Sequence, residues 1–260
     1  MKFKYFKNIV GTSADLYFYG AIVDEKEADF WTGEISKTEV DTMELKEELD
    51  NLNGITDLNI YINSPGGSVF ASSTMVSMLN RFRDRTGAKI HSFVDGLCAS
   101  AATYLLMVAD DINFYKNSMM MIHKPMSITW GNANDMQKEI DVLNNIENNM
   151  MVPMYLSKSK VDQDKIKELI SNETWFNSNE KDENFIGNYF NVNLLDEAKE
   201  VSACVSEELF KNYKNIPEAF KKMFHDKQKP KQQSALGVDV DNTQNIDYSY
   251  FENKLKLIKK

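Results

Sequence analysis

The sequence predicts an α/β fold, a largely parallel sheet covered by helices. Three observations predict it. β-rich runs give way to helical periodicity at least twice, at intervals suited to βαβ units. The transitions fall at glycine- or small-residue-rich turns. With 260 residues, 42% of them hydrophobic and 27% charged, the chain can bury a sizeable core.

The elements follow in order. Residues 16–23, Leu-Tyr-Phe-Tyr-Gly-Ala-Ile-Val, read as a first strand. Residues 38–52 have helical spacing, with Val40, Met43, Leu45, Leu49 and Leu52 as the apolar stripe. Residues 58–62 alternate as a strand and stop at Asn63-Ser-Pro-Gly-Gly67. A helix is predicted over 68–82, with Val69, Met75, Met78, Leu79 and Phe82 inward. A strand over 89–94 leads to Gly96-Leu-Cys-Ala-Ser100-Ala-Ala, where an apolar helix starts at Ser100. Residues 112–114 and 118–122 are further short strands.

From 133 to 155, Met136, Ile140, Leu143, Ile146, Met150 and Met154 step by three or four, the pattern of one long helix. It is either a surface helix on its own core or a protruding helix that joins subunits, its methionine-rich end adapting to a partner. A helix over 161–170 precedes Glu173-Thr-Trp-Phe176. Residues 201–224 have helical character, 227–245 read as a polar linker, and 247–260 as a short docking segment. The expected division is a folded domain over 1–203 and a helical and basic tail over 204–260.

Charge and cysteine usage narrow the function classes. The net charge is −9, but residues 221–260 carry net +4, which leaves −13 on the rest. Such a body is a poor partner for nucleic acid or an anionic membrane. Two cysteines, Cys98 and Cys204, without metal or redox spacing, point to a reducing compartment. The N-terminus has no apolar stretch of a signal peptide, and the longest apolar run is too short to span a bilayer. The expected location is cytoplasmic. No nucleotide-binding loop, zinc motif or Gly-x-Ser-x-Gly elbow appears, so no metal or cofactor is expected.

The residues able to do chemistry are few. Ser100 lies among small residues where a strand gives way to a helix, a place with free backbone amides and favourable dipole for a nucleophile. A serine needs a base, and the chain has three histidines. His91 lies within a strand and reads as structural; His225 sits in the basic tail. His123 ends an apolar run, in Met121-Ile-His123-Lys-Pro125, and pairs best with Ser100. Spacing alone leaves the third group open. The Ser64-Pro-Gly-Gly67-Ser turn offers glycine amides ahead of a helix, suited to an oxyanion.

These four segments, 62–67, 96–102, 121–125 and 173–176, in this order, resemble the proteolytic subunit of the Clp protease family. More closely, they resemble Clp-like proteases of phage and prophage head-assembly modules. The resemblance covers 15–203. It implies a crotonase-like superhelix of ββα units with a protruding handle helix, here 133–155, through which subunits build a homo-oligomeric ring. It places the nucleophile at Ser100, the base at His123 and the family's aspartate position at Glu173. It also implies oxyanion amides at Gly67 and Ala101, and substrate backbone paired along Gly66, Gly67, Ser68 and Val69.

The implied activity is serine-type endopeptidase action on protein or peptide. Family members dock a separate ATP-driven unfoldase through a long N-terminal segment. This chain starts close to its first strand and continues past 203, both of which favour the phage form, a head maturation protease trimming capsid or scaffold protein without its own ATPase. Three alternatives remain: a proteolytic subunit serving a host unfoldase, an acyl-CoA enzyme on the same architecture, and a catalytically silent ring or scaffold component.

Overall fold

A computed structural model describes residues 6–26, 39–196, 213 and 215–217. The expectations for the linker over 227–245 and the segment over 247–260 lie outside the described residues. So does most of 201–224, of which only Tyr213 and 215–217 are described, in irregular structure.

The main sheet begins with β1 (Phe6–Val10) and β2 (Ser13–Tyr19), which pair antiparallel. It continues in parallel through β5 (Asp57–Ser64), β6 (Lys89–Ala99), β7 (Asp111–Tyr115) and β10 (Asn193–Leu195). The predicted strand over 16–23 is broken at Gly20, whose φ of 120° is open to glycine. Beyond that turn β3 (Ala21–Val23) leaves the sheet and pairs in parallel with β4 (Glu39–Asp41).

Buried and half-exposed positions alternate along β2 and most of β5, so the helices cover one face of the sheet. There Leu16, Phe18, Leu58, Ile60 and Ile90 pack with Leu45 and Leu49 of α1 (Thr42–Asn51) and Met75 and Leu79 of α2 (Val69–Thr86). On the opposite face Tyr17, Tyr61 and Phe93 stack ring on ring, 4.9 and 4.8 Å between centroids. Both helices start at side-chain caps. Asp41 accepts the amides of Met43 and Glu44, and Ser68 that of Ala71. Gly87 ends α2 at φ 72°.

β6 is forked. Its first half pairs with β7 up to Val94 opposite Phe114. Its second half pairs with β8 (Met119–Ile122), Ala99 opposite Met121. Between the halves the register against β5 slips, from Ile62 opposite Val94 to Ser64 opposite Cys98. Asp95 and Gly96 therefore belong to a bulge, not to a turn. β8 in turn holds β9 (Thr174–Phe176) antiparallel, Ile122 opposite Thr174.

After β6 comes the short helix α3 (Ala102–Met107). The long helix is α4 (Ala133–Ile146), a π-turn (Glu147–Met151) and α5 (Val152–Leu156) in sequence. Pro153 has no N–H for the carbonyl four residues back, and the wide turn lies directly before it. α6 (Gln163–Ser171), capped by Asp162, leads to β9. Among the described residues no helix is long and apolar enough to cross a membrane.

Candidate active site

The fork in β6 assembles the site. Ser100 follows the last residue of β6, His123 the last residue of β8, and Glu173 immediately precedes β9. Because Ala99 faces Met121 and Ile122 faces Thr174, the three residues emerge side by side at one end of a three-stranded corner. They lie 23 and 50 positions apart in sequence, and only strand register makes them neighbours.

Ser100 Oγ lies 2.7 Å from His123 Nε2. The serine is not in the first turn of α3, as the sequence suggested, but in the turn ahead of it, at φ 54°. Glu173 is also left-handed, at φ 50°. Such backbone is rare outside glycine and costs on the order of 1–3 kcal/mol, so the surrounding bonds must hold it. For Ser100 they do. Its N–H donates to the Met121 carbonyl at 2.9 Å, and its carbonyl accepts from the Thr103 hydroxyl at 2.5 Å and the Thr103 amide at 3.0 Å. Since Thr103 Oγ1 donates to Ser100, the Tyr155 hydroxyl 2.7 Å away donates to Thr103. α5 is thereby tied to the backbone of the serine.

His123 is buried. Burial pushes its imidazole below the ordinary value, and the negative charge of Glu173 pushes in the opposite direction. The next residue, Lys124, forms an ion pair with the largely buried Glu147 of the π-turn at 3.1 Å. The strand end that carries the histidine is thus anchored to the long helix.

The glycine turn fits closely against the serine. A Cβ on Gly66 would stand 2.7 Å from both Ser100 Cβ and the Ala99 carbonyl oxygen, at a φ of 95°. A Cβ on Gly67 would meet the Ile22 carbonyl oxygen at 2.1 Å. Both positions therefore require glycine. Ile22 of β3 donates its N–H to the Gly66 carbonyl at 2.8 Å and accepts from the Ser68 amide at 2.9 Å. Pairing of that kind turns the N–H and C=O of Gly67, the residue between, to the opposite edge. Ala101 lies next to Ser100, its nitrogen 2.9 Å from the space a Gly66 side chain would take. Val69 is the first residue of α2.

The other candidates lie elsewhere. His91 Nδ1 is 2.6 Å from Asp111 Oδ2, across the pairing of β6 with β7. The Cys98 thiol is fully buried behind the serine, and burial raises its pKa. His225 and Cys204 lie outside the described residues. Among the described residues no cluster of His, Cys, Asp and Glu could hold a metal ion.

One residue at the site escaped sequence reading. Tyr213, assigned to the tail, packs edge-on against His123 and Trp175, 5.4 and 6.0 Å between centroids. Its hydroxyl donates to the Pro65 carbonyl at 2.5 Å. Nothing in Lys-Asn-Tyr-Lys-Asn marks it, since a lone tyrosine between lysines carries no periodicity.

Comparison with known proteins adds to this geometry. The family described as Clp protease matches residues 26–185. An "ATP-dependent Clp protease proteolytic subunit" of Bacteroides thetaiotaomicron is 32% identical over 91 residues, which cover 34% of this chain and 40% of that protein. Proteins of the same name from Bacteroides fragilis and Porphyromonas gingivalis are 32% and 31% identical over 91 residues, 34% of this chain and 42% and 39% of theirs. The matched stretch thus spans about two fifths of each of these relatives.

Proposed function

The chain belongs to the Clp protease family, and from that premise we propose that it is a serine-type endopeptidase using Ser100, His123 and Glu173. The observation that carries the reading is the 2.7 Å contact between Ser100 Oγ and His123 Nε2. Ser100 donates its proton to Nε2 as the oxygen attacks the scissile carbonyl, and the imidazolium returns that proton to the leaving amine. Water then repeats the steps to release the acyl group. Glu173 keeps the second ring nitrogen protonated and steadies the imidazolium. The amides of Gly67 and Ala101 hold the oxyanion. Substrate backbone lies along Gly66, Gly67, Ser68 and Val69, at the edge left open by β3.

A homo-oligomeric ring formed through 133–155 is part of the proposal. The loop before α4 exposes Ile128 and Trp130 almost completely, and α4 exposes Met136 and Ile140 by about half. So much exposed apolar surface within 128–140 suits contact with further copies of the chain. The finer assignment is head maturation, the trimming of capsid or scaffold protein, which the four motifs support through their likeness to the phage enzymes. A second reading has one observation in its favour: the relatives above are named as ATP-dependent. In that reading a separate unfoldase feeds the site.

The test is intact mass after treatment with a fluorophosphonate, comparing wild type with Ser100→Ala. A single adduct on the wild type and none on the variant is expected. Equal labelling of both would place the reactive group elsewhere. Incubation with capsid or scaffold protein, without and with ATP and a host unfoldase, separates the two substrate assignments.

A further inference from the structure

The described part of the chain beyond residue 203 is small, but it touches the site at several points. The Tyr213 ring closes over His123 and Trp175. Its hydroxyl donates to the Pro65 carbonyl, one residue before the glycines. Two residues on, the Asn215 amide donates to Glu173 Oε1 at 2.6 Å, and its side-chain amide to the Asn172 carbonyl at 2.9 Å. One short stretch therefore engages the ring of the base, the carboxylate and the chain leading into the glycine turn.

An acyl substrate has to bring its carbonyl carbon onto Ser100 Oγ and its carbonyl oxygen to the Gly67 and Ala101 amides. Pro65 and Ser100 flank that position from two sides, since Gly66 between them fits directly against Ser100. A phenol bonded to the Pro65 carbonyl and packed on the His123 ring stands at that entrance. Burial pushes that phenol up to about 12. It is a neutral donor at neutral pH. What reaches the site is a side chain, its ring on His123 and its hydroxyl on the Pro65 carbonyl, so this stretch is not seated as a substrate about to be cut.

Building on the protease reading, we propose that the segment carrying Tyr213 and Asn215 is an intramolecular inhibitor, a strap that closes the site until it is displaced. Tyr213 is the plug and Asn215 the latch on Glu173. A substrate, or the partner that delivers it, must lift the segment before Ser100 can be acylated. The observed rate is then the rate of the open site reduced by the fraction of molecules that are open. If that fraction is about 1–10%, releasing the strap raises the rate about 10- to 100-fold.

The experiment measures the rate of labelling by a small fluorophosphonate in the full chain, for wild type, Tyr213→Ala and Asn215→Pro, with Ser100→Ala as blank. Asn215→Pro removes both the backbone donor to Glu173 and the side-chain donor to Asn172, leaving Tyr213 intact. Faster labelling of both variants is expected, and a synthetic peptide of residues 209–218 added in trans should slow Tyr213→Ala again. Unchanged rates in both variants would overturn the strap and leave the serine reading standing, because the wild type is still labelled. Slower labelling of Tyr213→Ala, with its thermal unfolding intact, would make Tyr213 a positioning residue and overturn the strap as well. No label on any variant would overturn both, since a lifted strap must expose a reactive serine. Should Tyr213→Ala fail to fold, Asn215→Pro decides alone.

Discussion

His123 feels two opposed influences at the residue scale, and they set the pH dependence. Burial favours the neutral ring and is the larger influence; the Glu173 charge favours the cation. The net shift is downward, so the base stays unprotonated, and able to accept a proton from Ser100, further into acid than an ordinary imidazole with its pKa of about 6.5. The acid limb of the labelling rate against pH is therefore expected below that value. Glu173→Gln removes the influence that raises the pKa, so its limb should move further toward acid while the rate falls. A limb that moves toward neutrality would contradict this electrostatic account. The same shift has a stability side. The unfolded chain binds this proton more readily than the folded one, so the fold loses stability as pH falls through the ordinary imidazole value.

At the scale of elements, the parts legible in the sequence were those with long periods. The helices over 68–82 and 133–155 and the strand over 58–62 show their spacing plainly. β4, β9 and β10 have three residues each, too few to display an alternation, and all three positions of β9 are buried. The second half of β6 was hidden for a different reason. Asp95-Gly96 has turn composition, and only the partner switch from β7 to β8 turns it into a bulge. Ser100 and His123 could be paired from residue type and motif order. That Glu173 joins them depends on β9 pairing with β8, a contact no local pattern announces. The tie between α5 and the serine was equally invisible, and it can be tested. Thr103→Val removes the hydroxyl that links Tyr155 to the Ser100 carbonyl. Two buried groups lose a partner, so urea unfolding should show a loss of about 1–3 kcal/mol. Labelling of Ser100 should slow, because its left-handed turn loses a restraint. A variant with normal stability and rate would show that the link is idle.

In the whole molecule, the sheet and the corner that carries Ser100, His123 and Glu173 are held unequally. β5 and β6 have parallel neighbours on both sides and the helices over one face. Among the described residues β9 pairs in the sheet with β8 alone, and β8 pairs with the remaining strands at three positions of β6. Opening free energies across a protein follow such differences. Amide hydrogens of β8 and β9 should exchange with solvent sooner than those of β5 and the first half of β6. In rising urea, labelling of Ser100 should fade before the far-ultraviolet signal of the sheet declines. Coincident loss of both would mean that the corner and the sheet open as one. The forked strand thus leaves the molecule with an early failure point that spares its scaffold. Mild denaturing stress would disarm the serine and leave most of the fold in place, and relief of the stress would need only three short strands to re-form for activity to return.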